Sequence, residues 1–181
     1  MSFSSKNDIL AAVRTLLLTL TVPASSDPLF TSDGVKVFSQ ANLQAAFEEL
    51  LVFEERACFL VTTGEEFVNQ RSGNVVTSKK TVSLSLLICD QNYGERMAAF
   101  TGDSETVGVS PMSEIIVAAL FGKTLTSLPF AVVLPLSGDS FYLSNVQRSN
   151  EERAELAGRE CWSQEFEIYA GSDKREIGRN A

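Results

Sequence analysis

Apolar residues recur at helical spacing in three stretches of the chain. In residues 7–20 one face carries Ile9, Leu10, Val13, Leu16, Leu17 and Leu20. This spacing predicts an amphipathic helix. Ser5 followed by Asp8 resembles a capping box, and Pro23 cannot continue a helix.

Two further helices follow the same pattern. After Ser39, a candidate N-cap, the predicted buried stripe is Leu43, Ala46, Phe47, Leu50 and Leu51. The third helix is predicted to open at Ser110 and Pro111, because serine caps helices and proline suits their first turn. Gly122 is expected to end that helix.

Alternation of apolar and polar residues predicts strands elsewhere. Residues 57–63 and 75–90 are rich in apolar and β-branched residues, with strict alternation around Leu84. In the closing stretch, Trp162, Phe166 and Ile168 point one way and polar residues point the other, which is typical of a sheet with one buried face. Shorter strands are expected at 35–38 and 141–146. Pro129 and Pro135 limit the segment between them to an edge strand or a loop.

The connections are predicted from turn-forming residues. Residues 64–74 read as a long hairpin loop, and residues 138–140 as a turn of Gly, Asp and Ser. Residues 91–109 show no periodicity, so a long loop or arm is expected there, and such connections are usually functional or disordered. Residues 149–158 favour a short helix, and the charged tail at 172–181 should fray.

These elements predict an α+β fold in a single domain spanning residues 1–181. We expect a mostly antiparallel sheet of about four to five strands, with two or three amphipathic helices packed on one face. A chain of 181 residues with 44% hydrophobic content can bury a core without a metal or disulfide.

Composition disfavours several classes of function. The net charge of −8 argues against a basic footprint for nucleic acid. An odd number of cysteines, three, all within apolar runs, indicates buried thiols in a reducing compartment. The apolar run at 16–20 lacks the flanking signals of a secretory leader and is too short to span a membrane, so neither is predicted.

Candidate catalytic chemistry is sparse. The chain has no histidine, which removes Ser-His and Cys-His pairs and histidine metal ligands. It has no glycine-rich phosphate loop. Its acidic pairs are sequence neighbours, which point in different directions on helices and strands. We therefore predict no catalytic, cofactor-binding or metal-binding residues.

The layout resembles a known family in four segments: NDILAAVRTLLLTL, RACFLVTTGEEF, TVSLSLLICD leading to SPMSEIIVAAL, and WSQEFEIYA after a charged connector. The chain resembles the tail terminator and tail completion proteins of tailed bacteriophages, including the small tail proteins of Mu-like phages. This resemblance implies a structural subunit of the virion tail, assembled in the host cytoplasm. Such subunits form a ring, usually a hexamer, that caps the tail tube and docks to the head connector, without a cofactor.

A ring implies two different, complementary surfaces on each subunit. The predicted loops supply the interface candidates Tyr93, Glu95, Arg96, Phe100, Glu65, Glu66 and Arg71. DNA would pass through the ring without specific binding. Acids that could line the lumen are Glu48, Glu49, Glu65, Glu66, Glu151 and Glu152. The alternative is that these acids only keep the protein soluble.

Two other functions stay open at this point. The chain could be another tail or connector subunit, such as a tail-tube or head–tail joining protein. It could also be a cysteine-dependent enzyme, which would need an exposed thiol with a lowered pKa.

Overall fold

The computed structural model describes residues 3–23, 25–53, 55–90, 96–103, 106–125, 128, 131–144 and 158–177. Within these ranges it contains four α-helices and one five-stranded sheet. The elements are α1 (Lys6–Leu17), β1 (Val35–Ser39), α2 (Leu43–Val52), β2 (Ala57–Ser72), β3 (Val75–Cys89), α3 (Arg96–Thr101), α4 (Val109–Leu120), β4 (Val132–Ser144) and β5 (Gly158–Glu176). One turn of 3₁₀ helix, Gln40–Asn42, leads into α2.

The strand order is β1-β2-β3-β5-β4. Only the β1–β2 pair is parallel, and the other three pairs are antiparallel. The predicted α+β fold with a mostly antiparallel sheet is confirmed. Because β1 and β4 are the outermost strands, the segment after Pro129 does form an edge strand, where a proline can be tolerated.

Hydrophobic side chains form a core on each face of the sheet. The larger core gathers α1, α4 and the inward side chains of β3 and β5, and Phe100 of α3 packs against it. The smaller core lies on the opposite face, where Ala46 and Leu50 of α2 cover Phe59, Val61 and Cys161. Of the predicted helices, α1 and α4 share one face as expected, whereas α2 covers the other. The helix α3, which lies in the predicted loop at 91–109, joins α1 and α4 through Phe100.

The start of α1 matches the predicted capping box. The Ser5 Oγ atom accepts a hydrogen bond from the Asp8 backbone N–H at 3.1 Å and donates to the Asp8 carboxylate at 2.6 Å. The helix ends at Leu17, earlier than predicted. The Leu18 amide still bonds four residues back, to Arg14, but the amides of Thr19 and Leu20 bond to carbonyls three residues back, which tightens the last turn and ends the α-helix.

The serine caps predicted for the two other helices are not found, whereas Gly122, with φ of 64°, follows the end of α4 as predicted. Gly108, with φ of 83°, is the N-cap of α4, so Ser110 and Pro111 lie inside its first turn. Ser39 precedes the 3₁₀ turn but makes no capping hydrogen bond through its side chain. In both places the backbone direction is set by the strand or loop before the helix.

The predicted turn at 138–140 is also wrong. Gly138 lies in β4, paired with Gln164 of β5, after an irregularity that follows Pro135. A Cβ atom at Gly138 would lie 2.5 Å from the Gln164 Oε1 atom and 2.7 Å from the Trp162 Nε1 atom. The glycine therefore serves close packing within a strand.

The largest correction concerns the hairpin and the tail. Residues 64–72 continue β2, so the predicted long loop is reduced to a tight turn at Gly73 and Asn74. Residues 172–176 belong to β5 and pair with β3, so this part of the tail does not fray. Both segments are polar on both faces, which hides them from periodicity. The predicted helix at 149–158 lies outside the described residues, apart from Gly158, which begins β5.

Candidate functional site

Three strands continue together past the helices and form what we call the extension: residues 64–72, 75–81 and 171–176. β1 pairs with β2 only as far as Thr62, and β4 pairs with β5 only as far as Tyr169. Among the described residues, no strand therefore pairs with the outer edge of β2 or of β5 along the extension. Every residue of β2 from Thr63 to Ser72 is exposed. No residue of the extension belongs to either hydrophobic core.

The base of the extension is anchored by the N-terminal segment and a buried lysine. The Lys80 ammonium donates to the Ser4 carbonyl oxygen at 3.2 Å and lies 3.3 Å from the Glu65 carboxylate. It also lies 5.8 Å from the centre of the Phe67 ring. Phe3 packs edge-on against that ring, with centroids 5.5 Å apart. These contacts fix the direction in which the extension leaves the body.

The tip is held by backbone and arginine hydrogen bonds. Gly73 has φ of 59°, a conformation that glycine adopts without strain, and its carbonyl accepts from the Arg71 Nε atom at 3.0 Å. The Ile177 amide donates to the Asn74 carbonyl at 2.6 Å, which ties the end of β5 to the turn. A hydrogen bond from Arg175 holds the pKa of Asp173 below its usual value.

Charge on the extension is nearly balanced, with five basic and four acidic side chains. The acidic excess of the chain, −8 overall, therefore lies outside it. The two faces of the extension differ: Phe67 and Arg71 lie on the side of the larger core, with Lys80, while Glu66 and Val68 lie on the other side. The extension thus offers two unlike surfaces.

Three predicted interface residues meet on this extension, since Glu65, Glu66 and Arg71 all belong to its outer strand. Tyr93 and Glu95 lie outside the described residues. Arg96 begins α3, but its side chain is not described.

The described part of the predicted arm at 91–109 is folded against the body. Phe100 is half-buried with its ring centroid 6.2 Å from that of Trp162, so it contributes to packing. Ala98 and Ala99 are buried, whereas Met97 is 71% exposed. Met97 was missed because a lone methionine gives no sequence signal for an interface.

A compact loop follows α3, and its closely spaced backbone requires glycine at two positions. Gly102 and Gly108 both have φ of 83°, and a Cβ atom on either would lie 2.2 Å from backbone of the opposite limb. Asp103 closes the loop by accepting from the Thr106 amide at 2.8 Å. The Asp90 carboxylate accepts from the Gly108 amide. The tight approach of the two limbs is possible only without side chains.

Arg159 was also missed by sequence reasoning, and it is the largest fully buried side chain among the described residues. Its guanidinium donates to the carbonyls of Asp90 at 2.6 and 3.0 Å, Leu50 at 2.6 Å and Glu55 at 2.7 Å, and to that of Phe53. These bonds join β5 to the end of β3 and to the end of α2. With its donors committed to backbone carbonyls, Arg159 acts as a structural clamp.

The three cysteines are buried and free. Burial raises the pKa of Cys89 to about 12, and burial also raises the pKa of Cys58 and Cys161. A nucleophilic cysteine needs the opposite, an accessible thiol with a lowered pKa. None of these thiols has the environment that the cysteine-enzyme hypothesis requires.

We find no other group of side chains suited to catalysis or metal binding in the part of the chain that the structure describes. It contains no group of three or more Cys, Asp or Glu side chains placed to hold a metal ion. No helix within it is both long and apolar enough to cross a membrane. An open groove of about 920 Å³ runs beside α1, lined by Asp8, Ala11, Ala12, Thr15, Leu16, Thr19, Leu125 and Leu128. One acid among small and apolar side chains provides no catalytic pair.

The candidate lumen acids do not share one surface element. Glu48 and Glu49 lie on α2, where Glu49 pairs with Lys36. Glu65 and Glu66 lie at the base of the extension. Glu151 and Glu152 lie outside the described residues.

Comparison with known proteins adds no family: no protein-family model matches the chain, and no curated protein matches it.

Proposed function

We propose that the chain is a structural virion protein, a tail terminator that closes into a hexameric ring. In this proposal the ring caps the tail tube and docks it to the head connector. It belongs to the virion tail and is assembled in the host cytoplasm. The layout of the sequence supports the family, and the extension supports a role in assembly.

The extension is the observation that carries the proposal. A ring contact is head-to-tail, so each subunit must present two different surfaces. The extension has two unlike faces and no core of its own, which is the expected form of an element that is completed by neighbouring copies. The face with Phe67 and Arg71 and the face with Glu66 and Val68 would then contact different neighbours.

The chemistry of the described residues agrees with a structural role. Buried thiols with raised pKa values give no nucleophile, and the buried guanidinium of Arg159 is committed to backbone carbonyls. The proposal therefore includes no cofactor and no catalysis. DNA would pass through the ring without specific binding, as the acidic net charge of each subunit would repel phosphates.

Another tail or connector subunit is the second candidate, because a strand extension also suits tail-tube and head–tail joining proteins. Copy number separates these functions. A terminator forms one closed ring, whereas a tube subunit stacks in many layers. Six copies of the 19.7 kDa chain weigh about 118 kDa.

The test measures the particle mass of purified protein by native mass spectrometry, alone and mixed with isolated tail tubes. We expect a closed ring that adds once per tube end. The key variant joins Phe67 to Lys80 through Asn-Gly and ends the chain after Gly171, which removes the tip of all three strands of the extension. Phe67 and Lys80 are already cross-strand partners, so a two-residue turn fits between them. This variant should fold and stay below the ring mass.

A second variant tests the described part of α3. Met97→Lys places a charge on an exposed side chain and leaves the buried Ala98 and Ala99 in place, so it should weaken assembly without unfolding the subunit. Glu114→Lys, which changes charge on α4, is the control for an unspecific charge effect. Rings that form normally after removal of the extension tip would refute its role as the ring interface.

A further inference from the structure

We infer that the outer edge of β2 is a pairing site for a second copy of this chain, bound antiparallel through residues 64–72 about a two-fold axis at Val68. This inference concerns the strand edge and does not rest on the proposed ring, which would use the faces of the extension. Two subunits joined by this edge alone weigh about 39 kDa, twice the 19.7 kDa chain.

The β2 edge is long, and although it carries Glu65, Glu66 and Arg71, it lacks the lysine, proline and internal bulge that most often keep strand edges apart. An unpaired edge is a template for another strand, and proteins usually block it with lysine, proline, a bulge or a short length. Residues 64–72 contain no lysine and no proline, and the register shift of β2 precedes them, between Thr62 and Gly64. In the middle of the edge, Phe67 and Val68 are 49% and 44% exposed.

The other open edges in the described sheet are blocked. The edge of β5 begins at an irregularity beside Lys80, where Gly171 has φ of 110°, and it carries Lys174 and Arg175. The edge strand β4 contains Pro135 and a register shift, and β1 has only five residues. Pairing of β2 with β2 is therefore favoured over pairing of β2 with another edge.

Charge complementarity supports the same register. The unpaired segment 64–72 is centred on Val68, so a pairing that uses its whole length places Glu65 directly opposite Arg71 of the second copy. The two-fold axis repeats this pair, and Glu66 lies opposite Gln70. Glu65 and Arg71 point to the same face of the sheet, as cross-strand neighbours must. Arg71 uses its Nε atom on the Gly73 carbonyl, and its two Nη atoms can meet a carboxylate.

A charge swap tests this register. Glu65→Arg alone would place two arginines opposite each other at each end of the interface. Arg71→Glu alone would place two glutamates opposite each other there. Each single variant should dimerise about tenfold more weakly in sedimentation equilibrium at low salt. An equimolar mixture of the two variants should recover the dimer, because every opposed pair is then of opposite charge. The double variant Glu65→Arg/Arg71→Glu should recover it as well. Failure of both rescues would overturn the proposed register.

Cysteine cross-linking gives a second test that does not depend on charge. Val68→Cys lies on the two-fold axis and should form a disulfide between two copies under mild oxidation, while the native cysteines stay buried. Ser72→Cys is the matched control, since the two copies of residue 72 would lie roughly 26 Å apart. Cross-linking of Val68→Cys to Lys174→Cys in a mixture, without self-linking of Val68→Cys, would show head-to-tail pairing and contradict the inference. A protein that stays monomeric at high micromolar concentration would also overturn it.

Discussion

Replacing Arg159 by methionine should destabilise the fold more than any surface substitution. Arg159 is 1% exposed, and its five hydrogen bonds reach the carbonyls of four residues. Leu50 belongs to the last turn of α2, where carbonyls have no partner within the helix. The guanidinium therefore caps α2 and joins it to β5. Methionine retains the length of the side chain but has no donor.

The expected loss of unfolding free energy follows from the hydrogen bonds and the buried charge that the substitution removes. A hydrogen bond to a charged group contributes about 1.5–3 kcal/mol, and such values are not additive. The buried charge also costs several kcal/mol of desolvation, which the substitution removes. The carbonyls of four residues lose their donor, and a buried carbonyl left without one costs about 1–3 kcal/mol. Because the desolvation saving offsets part of this sum, we expect a loss of about 3–5 kcal/mol for Arg159→Met. For a chain of this size, this corresponds to a fall in Tm of roughly 6–20 °C.

The assay is urea denaturation followed by far-ultraviolet circular dichroism and by the fluorescence of Trp162. Arg14→Met is the matched control. Arg14 donates to the carbonyls of Val35 at 2.9 Å and Ser32 at 3.0 Å, but it is only partly buried. Arg14→Met should therefore lower the unfolding free energy by only about 1 kcal/mol. If Arg159→Met and Arg14→Met lost the same small amount, the clamp would be unimportant and the reasoning refuted.

Three further predictions use the same stability assay or a binding assay. Phe166→Ala should lower the unfolding free energy by about 3–5 kcal/mol, because Phe166 is fully buried. Trp162→Ala should lower it less, because Trp162 is only partly buried, and equal losses would contradict this order. Burial raises the pKa of Cys89 to about 12, so the unfolded thiol ionises first, and the unfolding free energy should fall as pH rises from about 8.5 towards 12. Cys89→Ala should reduce that slope without abolishing it, because burial also raises the pKa of Cys58 and Cys161. Glu48→Lys should leave folding intact and make assembled rings retain DNA at low salt but not at high salt. Unchanged retention and infectivity would leave Glu48 as solubilising surface.

Sequence patterns predicted the elements that have a buried face. The stripe of α1, its capping box and the alternating faces of β3 and β5 were all correct, because burial imposes a period on the sequence. The predicted inward face of β5 is confirmed for Phe166 and Ile168, which are fully buried in the larger core.

Elements without a buried face escaped prediction. Residues 64–72 are exposed on both sides, so no alternation marks them as a strand, and glycine with polar residues indicated a loop. The same reason hides residues 172–176. The sequence predicts a turn at Gly138 because it shows the flexibility of glycine but not the Trp162 and Gln164 side chains that need the space beside it. Arg159 gave no signal because its carbonyl partners come from distant parts of the chain.

The extension therefore has an unusual source of stability, and this bears on its function. Strands that bury no apolar face gain little from the hydrophobic effect, and a short isolated ribbon is marginal in water. Here the backbone hydrogen bonds between strands continue from the core strands into the extension. Lys80 and the N-terminal segment hold its base in place. Such an element presents ordered backbone and side chains to a partner, so less conformational entropy is lost on association than with a flexible loop. A pre-formed strand edge and two unlike faces are thus what an assembling subunit requires, whether copies meet edge to edge or face to face.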